Sequence, residues 1–445
     1  MRRTRISHLS IGLLLGYLLI AVALVYWTVG RGTALAERPD NPRRVEDELR
    51  IRRGQILDRN NAVLAETMGP VDDPERVYPV PNIGPAVGYY TFRYGTSGVE
   101  EGYDAVLRGD SDDVWEAFWR ENLHAAQTGR DIRLTLNVTW QRAAEAVLGD
   151  SQGAVVLLAL PDATIGALSS HPGYDPNRLD EDFEALVADE QAPLLNRASQ
   201  GQYQPGLALQ PFVLAAAAGQ NLLALEETVA DANRPVQVHG LERQCATAPP
   251  QEATWVDVLQ NNCPYPMQTL ARSLSEAELA AIFAGFGLTE QPQVPLTVAS
   301  PPAEPVVDLE AALVGQDALT VTPLQMARAW AALANGGMLP PLQLVSAVQD
   351  GSGVWQAVTP EPEPVAAVPA PAAEAVLAAL PRPEGYREYA TLALAGPEGN
   401  RNGWYLGLAP AGEPRYAVVV VLENSENLFE AQRVGRALLR VVSGG

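Results

Sequence analysis

Residues 153–177 read GAVVLLALPDATIGALSSHPGYDPN, and they carry the strongest structural signal in the chain. An apolar run begins at Gly153, a turn follows at residues 161–164, and a second apolar run extends to Leu168. Apolar runs of strand length on either side of a Pro-Asp turn predict strands that this turn separates.

Similar patterns surround this pair. Residues 132–136 predict a further strand, and the continuous apolar run YAVVVVL at residues 416–422 predicts a strand in the middle of a sheet. Helical patterns cover residues 113–128, 209–225, 275–286, 323–335 and 428–442. Short segments rich in Gly and Tyr fill residues 53–109. We therefore expect a mixed α/β (α+β) domain over residues 130–445 behind a smaller, strand-rich domain over residues 37–125.

The N-terminus has the pattern of a membrane anchor. Residues 11–29 are uncharged and apolar, and at 1.5 Å per residue they would span about 28 Å, which matches the hydrocarbon core of a bilayer. Arg2, Arg3 and Arg5 precede the run, so residues 1–10 are expected to be a cytoplasmic tail and the bulk of the chain to be extracytoplasmic. A cleaved signal peptide is the alternative, because residues 34–36 (ALA) fit a cleavage site.

Composition excludes several functions. The formal net charge of −22 argues against nucleic-acid binding. The His residues, at positions 8, 124, 171 and 239, lack the spacing of metal ligands or of a catalytic triad, and no Gly-rich phosphate loop is present. We expect neither a metal nor a cofactor. Every basic residue is Arg, and the chain contains no Lys.

Seven segments follow one another along the chain: residues 53–65 (RGQILDRNNAVLA), 93–109 (RYGTSGVEEGYDAVLRG), 134–141 (LTLNVTWQ), 153–177, 195–197 (LNR), 315–327 (GQDALTVTPLQMA) and 335–337 (NGG). In this order they resemble the class B penicillin-binding proteins, the monofunctional peptidoglycan transpeptidases. The resemblance implies a transpeptidase-like fold, a membrane location and a role in cell-wall synthesis.

The resemblance also fixes where the chemistry of this family belongs. Its first motif, Tyr-x-Pro-Gly-Ser-x-x-Lys, corresponds to residues 203–210 (YQPGLALQ), so Leu207 stands at the nucleophile position and Gln210 at the Lys position. A leucine has no lone pair to attack a carbonyl, and a glutamine amide is no base near neutral pH.

The other two motifs are altered as well. The Ser-x-Asn motif is placed at residues 262–264, with Asn262 and Pro264 at its ends. The Lys-Thr-Gly motif is placed at residues 397–399, so Pro397, Glu398 and Asn400 fall in or beside it. These substitutions and the lack of Lys predict a pseudoenzyme without catalytic residues.

Several functions follow from this interpretation. The first is an inactive scaffold or regulator of peptidoglycan synthesis whose partners are the membrane and cell-wall synthesis or division proteins. The alternatives are a sensor that binds cell-wall stem peptides and an acyl-transfer enzyme with another nucleophile, such as Ser199 or Ser170. Cys245 and Cys263 are a candidate disulfide in an oxidising compartment, although relatives often carry an ordinary Cys near the second position.

Overall fold

The computed structural model describes residues 2–27, 51–70, 73–110, 127–396 and 399–444. The predicted helix at residues 113–128 lies almost wholly outside these residues. Helix α1 spans Arg2–Val25. A search of the described residues finds no helix that is long and apolar enough to cross a membrane.

The part of the chain from residue 53 to residue 110 is built from short elements, as its composition predicts. Its strands and helices are β1 (Ile56–Leu57), β2 (Val63–Met68), β3 (Glu75–Val77), α2 (Gly84–Val87), β4 (Gly88–Thr91), β5 (Gly95–Gly98), α3 (Val99–Gly102) and α4 (Asp104–Arg108). Buried ionic contacts hold this part together: the Glu100 carboxylate, which is fully buried, accepts hydrogen bonds from Arg53, Arg76 and the Tyr78 hydroxyl.

The second part is longer and more helical. Its first half contains β6 (Ile132–Leu134), α5 (Val138–Leu148), β7 (Gly153–Ala159), β8 (Thr164–His171), α6 (Leu179–Ala188), α7 (Gln210–Gly219), β9 (Val236–Val238), β10 (Leu241–Arg243), α8 (Trp255–Gln260), α9 (Pro264–Thr269) and α10 (Glu276–Gly285). Its second half contains α11 (Leu309–Leu313), α12 (Pro323–Ala334), β11 (Met338–Leu339), β12 (Val345–Gln349), β13 (Trp355–Ala357), β14 (Val365–Ala366), α13 (Ala370–Ala379), β15 (Arg387–Leu394), β16 (Arg401–Ala409), β17 (Tyr416–Leu422) and α14 (Leu428–Val442).

A five-stranded antiparallel sheet, in the order β15-β16-β17-β7-β8, is the centre of this part. Both of its faces are covered. Val155 and Val418 point into a core shared with α5 and α14, whereas Val156 and Val419 point into the core that contains α12. Because successive residues face opposite layers, a strand covered on both sides must be apolar throughout, which explains the run at residues 416–422.

Helix boundaries follow local signals. Ser275 and Glu278 form a capping box that starts α10. The predicted helix over residues 209–225 is shorter than expected: a 3₁₀ turn covers Gly206–Leu209, and α7 ends at Gly219, just before Asn221 with a φ of 59°. A left-handed residue stops a helix whatever the apolar pattern beyond it, which is why the pattern overestimated the length.

Two compact units emerge from the distribution of contacts. Arg53–Thr67, Arg76–Asp110 and Gly129–Gly445 form the larger unit. The smaller unit includes an isolated bridge between Arg52 and Thr128. The domain limits predicted from the sequence, 37–125 and 130–445, stay a prediction.

Candidate functional site

The turn that carries Leu207 is placed by close contacts between backbones. Gly206 has a φ of 55°, and a Cβ added there would lie 2.7 Å from the Cβ of Ala393 on β15. Its N–H donates to the carbonyl of Gly315 at 2.9 Å, and a Cβ on Gly315 would lie 2.1 Å from the Gly206 oxygen. Two glycines are therefore needed to bring the start of the 3₁₀ turn against the edge of the central sheet. Leu207 is half-buried at this edge.

Gln210, one helical turn later, is completely buried and belongs to a neutral hydrogen-bond network. Its Oε1 accepts from the Tyr389 hydroxyl at 2.6 Å. Its Nε2 donates to the carbonyls of Val258 and Cys263 at 3.3 and 3.5 Å. Burial raises the pKa of Tyr389 well above its ordinary value, so the phenol stays protonated and can act as the donor.

Asn262 and Pro264 line the same cavity as Leu207. Asn262 has a φ of 53°, a backbone conformation that Asn tolerates better than most residues. Its Oδ1 is buried and accepts no hydrogen bond from the described residues. Cys263, between them, is joined to Cys245 in a disulfide, which ties the segment after β10 to the start of α9.

Leu207, Asn262 and Pro264 border a cavity of about 380 Å³. Much of its wall is apolar, and the charged side chains in it are Glu242, Arg243, Arg401 and Glu426. The remaining lining residues are Gly206, Leu207, Val238, Gln244, Ala246, Asn262, Pro264, Val314, Gln316, Thr391, Leu392, Leu394, Asn427, Leu428 and Phe429. A concave, mainly apolar cavity with a few convergent polar groups is the usual form of a small-molecule or peptide site.

The strand at the edge of this cavity is β15, whose outer edge has no strand partner among the described residues. Side chains elsewhere satisfy two of its outward backbone groups. The Leu394 N–H donates to Gln316 Oε1 at 3.1 Å, and the Leu392 carbonyl accepts from Arg243 at 3.3 Å. In addition, His239 Nε2 donates to the Gln316 carbonyl at 2.7 Å, so the β9–β10 turn is fastened beside the same edge.

The described residues of the third predicted motif, Gly399 and its neighbour Asn400, do not line the cavity. Pro397 and Glu398 lie outside the described residues. The Asn400 carbonyl accepts from Ala395 N–H at 2.7 Å and closes the turn after β15, and Asn400 does not line the cavity. The strand residues that do line it are Thr391, Leu392 and Leu394. Sequence reasoning did not name these residues because it placed the motif at residues 397–399, and that placement stays a prediction.

The two serines considered as alternative nucleophiles lie elsewhere. Ser199 is fully buried, and its hydroxyl donates to the Thr297 carbonyl at 2.8 Å. The Ser170 hydroxyl donates to the Leu195 carbonyl and accepts from the Arg197 N–H. Neither serine lines the cavity. The described residues also contain no group of His, Cys, Asp and Glu side chains that could hold a metal ion.

Comparison with known proteins defines the class. Residues 153–440 match the family model of the penicillin binding protein transpeptidase domain, and residues 53–132 match that of the penicillin binding protein A dimerisation domain. The chain belongs to the penicillin-binding proteins with a transpeptidase domain, which confirms the family predicted from the seven sequence segments.

Individual relatives extend over nearly the whole chain. The peptidoglycan D,D-transpeptidase PbpA of Mycolicibacterium smegmatis is 29% identical, with 96% of this chain and 95% of that protein aligned. PbpA of Mycobacterium tuberculosis is 28% identical, with 92% of each chain aligned. The solved structure of M. tuberculosis penicillin-binding protein A as an imipenem acyl-enzyme complex superimposes with a TM-score of 0.79 at 25% identity, covering 89% of this chain and 100% of that one.

These relatives overturn one prediction. The altered motifs led us to expect a pseudoenzyme, but the proteins that match along almost their entire length are named peptidoglycan D,D-transpeptidases. The prediction that the chain is not an enzyme is therefore wrong. The substitutions show only which side chains occupy the motif positions in this chain.

Proposed function

We propose that this protein acts in peptidoglycan synthesis outside the cytoplasmic membrane and that the cavity beside β15 takes a cell-wall stem peptide. The observation that carries the proposal is the position of the cavity. It is lined by Leu207, by Asn262 and Pro264, and by residues of β15. The family resemblance puts its first motif at the turn of Leu207 and its second motif at residues 262–264. The relatives named as peptidoglycan transpeptidases support the same substrate class.

The lining offers suitable contacts for a peptide. Leu207, Val238 and Leu394 provide apolar surface for short side chains. The buried Oδ1 of Asn262 lacks a donor among the described residues, and a buried acceptor left unpaired is costly. A peptide N–H that donates to it would remove that cost, so this atom favours a ligand with amide groups.

The N-terminal segment supports a membrane location. Residues 11–29 contain no charged residue, and Arg residues precede them. We propose that this segment anchors the chain with residues 1–10 in the cytoplasm and the larger unit outside. The match of residues 53–132 to a dimerisation domain supports a further role for this part in binding cell-wall synthesis or division proteins.

Peptide binding is tested with the full-length protein in detergent and a fluorescently labelled stem pentapeptide, with anisotropy as the readout. Leu207→Trp places an indole in the cavity and should weaken binding at least tenfold. Leu222→Trp is the matched control, because Leu222 is exposed and does not line the cavity. Saturable binding that Leu207→Trp leaves unchanged would overturn the assignment of the cavity, and the absence of saturable binding would overturn the function.

Fluorescent penicillin tests for covalent chemistry in the same cavity. Leu207 supplies no nucleophile, and Thr391 is the residue with a hydroxyl among the lining residues. If a band survives denaturation, peptide mapping identifies the acylated residue, and Thr391→Val should abolish a band that arises there. A label mapped to Ser199 or Ser170 would place the chemistry outside this cavity and contradict the proposal.

A further inference from the structure

A second cavity, of about 190 Å³, shares no lining residue with the cavity beside β15. Its lining residues come from α2, from the β4–β5 hairpin, from α6 and from the chain at residues 174, 194–200 and 296–297. All of them belong to the larger unit. Pockets for drug-sized ligands have volumes of roughly 300–1,000 Å³, so this smaller cavity has room for a single ring-sized group.

One wall of the second cavity is backbone without side chains. Gly88 and Gly98 both line it and are paired with each other in the β4–β5 ladder. A Cβ on Gly88 would lie 1.8 Å from the Ser97 carbonyl oxygen, so the two strands are in direct backbone contact at this end of the hairpin. Both positions have a positive φ as well, which favours glycine.

Aromatic rings supply the apolar surface of this cavity. Tyr89 and Tyr174 meet edge to face, with ring centroids 6.0 Å apart and ring planes at 77°. Phe183 also lines the cavity, and its ring is held by stacking on Tyr94 at 3.8 Å. Flat rings set nearly at right angles form a corner, which suits a flat ligand that has an apolar face.

Polar groups in the second cavity have hydrogen-bonding capacity left over. Tyr174 is only 7% exposed, and its hydroxyl makes no hydrogen bond with the described residues; the same holds for the hydroxyl of the half-buried Tyr89. Burial, and then the neighbouring Tyr89 phenol, raise the pKa of Tyr174, so its hydroxyl stays protonated and can donate as well as accept. Gln200 accepts the Asn196 N–H at 3.1 Å through Oε1, which leaves its Nε2 donors for a ligand. Because a buried hydroxyl without a partner is costly, these groups favour a ligand that forms hydrogen bonds.

The lining also excludes several classes of ligand. None of the described residues that line this cavity is charged, so an anion finds no cation there and a metal ion finds no carboxylate or imidazole. Glu101 is close enough to raise the pKa of Tyr89 further after burial has raised it, and its negative charge opposes an anion. A wholly apolar ligand would leave the hydroxyls and amides unpaired. What fits is a small, uncharged ring with an apolar face and several hydroxyls.

We propose that the second cavity binds one uncharged pyranose residue of a saccharide. The C–H face of a pyranose ring is apolar and packs on an aromatic ring, and the hydroxyls at its edge both donate and accept hydrogen bonds. Tyr89 and Tyr174 supply rings and hydroxyls for these contacts, and Gln200 supplies an amide. This site goes beyond the proposed function, because it lies in another cavity and takes another class of ligand than the stem peptide.

Saturation-transfer difference NMR tests this site on the full-length protein in a detergent that has no sugar groups. The probes are three tetrasaccharides: chitotetraose and cellotetraose are uncharged, whereas tetragalacturonate has a carboxylate on each residue. The uncharged probes should show saturable transfer that is strongest on the ring C–H protons of one residue, and tetragalacturonate should bind at least tenfold more weakly. Binding of only one uncharged probe supports the site and shows whether an acetamido group or a hydroxyl is preferred at the position where the two differ.

Substitutions locate the binding. Thr297→Trp places an indole at the exposed rim of the cavity and should weaken binding at least tenfold; Ser300→Trp is its matched control, because Ser300 is exposed and does not line the cavity. Tyr174→Phe removes only a hydroxyl and should weaken binding about three- to tenfold. Tyr103→Phe is the control for this change, since Tyr103 is half-buried and does not line the cavity.

The possible results separate this site from the proposed function. If neither uncharged probe binds, or if tetragalacturonate binds as tightly as they do, the saccharide site is wrong. It is also wrong if Thr297→Trp and Tyr174→Phe both bind the uncharged probes as the wild type does. Thermal melting of each variant distinguishes lost binding from unfolding. Binding of the stem pentapeptide should be unchanged in Thr297→Trp, and a wild type that binds the saccharide but not the peptide would overturn the proposed function and leave this site standing.

Discussion

Removing the Tyr389 hydroxyl tests the buried hydrogen-bond network around Gln210. Tyr389→Phe deletes the donor that lies 2.6 Å from Gln210 Oε1, and Gln210 is fully buried. The aromatic ring is retained, so the packing changes little. An acceptor left unpaired in the interior costs about 1–3 kcal/mol. We therefore expect Tyr389→Phe to lower the free energy of unfolding by about that amount.

A double-mutant cycle makes the expectation specific. Gln210→Leu alone leaves the Tyr389 hydroxyl without its acceptor and should also destabilise the protein. The combination of Tyr389→Phe with Gln210→Leu removes both partners of the hydrogen bond. The Val258 carbonyl loses the Gln210 donor but still accepts the Cys263 N–H at 3.1 Å. The double variant should therefore be less destabilised than the sum of the single variants, with a coupling energy of about 1 kcal/mol or more.

Urea unfolding followed by tryptophan fluorescence measures these differences. Tyr265→Phe is the control, since its half-exposed hydroxyl accepts from Arg234 at 3.2 Å and its loss should change stability by about 0.5 kcal/mol or less. If Tyr389→Phe is no more destabilising than this control, or if the two single effects simply add, the network does not stabilise the fold and the reasoning is refuted.

The Tyr389–Gln210 pair predicts that the stability of the fold depends on pH in the alkaline range. Burial raises the pKa of Tyr389, so the folded protein keeps the phenol protonated where the unfolded chain, with a pKa of about 10, begins to ionise. The stability contributed by the neutral phenol is complete below about pH 10 and is lost as the pH rises toward the folded-state pKa. Tyr389→Phe should therefore be less sensitive than the wild type to unfolding above about pH 10.

Further predictions concern other parts of the larger unit. Glu100→Gln should lower the free energy of unfolding by about 3–5 kcal/mol, because it leaves Arg53 and Arg76 buried without their carboxylate. Denaturant unfolding measures the loss, and a decrease below about 1 kcal/mol would contradict the prediction. Reducing the Cys245–Cys263 disulfide, which spans a sequence separation of 18, should lower the free energy of unfolding by about 3 kcal/mol. Thermal melts with and without dithiothreitol test this, and coincident curves would refute the prediction. Gly315→Ala should lower the melting temperature more than Gly240→Ala, since both have positive φ but only the former would place its Cβ within 4 Å of other atoms; equal shifts would show that steric contact with Gly206 is unimportant.

Much of the fold follows from patterns within the sequence. Strand β17 and helix α14 have the limits expected from residues 416–422 and 428–442, because alternation between two buried layers and a period near 3.6 are local properties. The unpaired edge of β15 could not be predicted from a local pattern. It depends on which strand is last in the sheet, and its cavity-lining side chains could not be separated from the neighbouring Gly-containing turn by pattern alone.

Hydrogen bonds between residues far apart in the sequence could not be predicted either. Tyr389 and Gln210 are 179 residues apart, and no periodicity relates them. Composition did hold one clue. In a chain whose cations are all Arg and whose net charge is −22, a buried cation is expected to have an acidic partner, and a cation without one is a candidate ligand-binding group. Only the structure shows which arginines meet that condition.

The distribution of charge in the cavity connects these observations. At the position where the family resemblance places a Lys, the buried Gln210 forms neutral hydrogen bonds and brings no positive charge. Positive charge is instead present on Arg243 and Arg401, which are only half-buried. A buried Lys would lose its charge readily on desolvation, whereas a guanidinium stays protonated in any protein environment. The cavity therefore carries permanent cations, whereas the buried Gln210 position carries no charge.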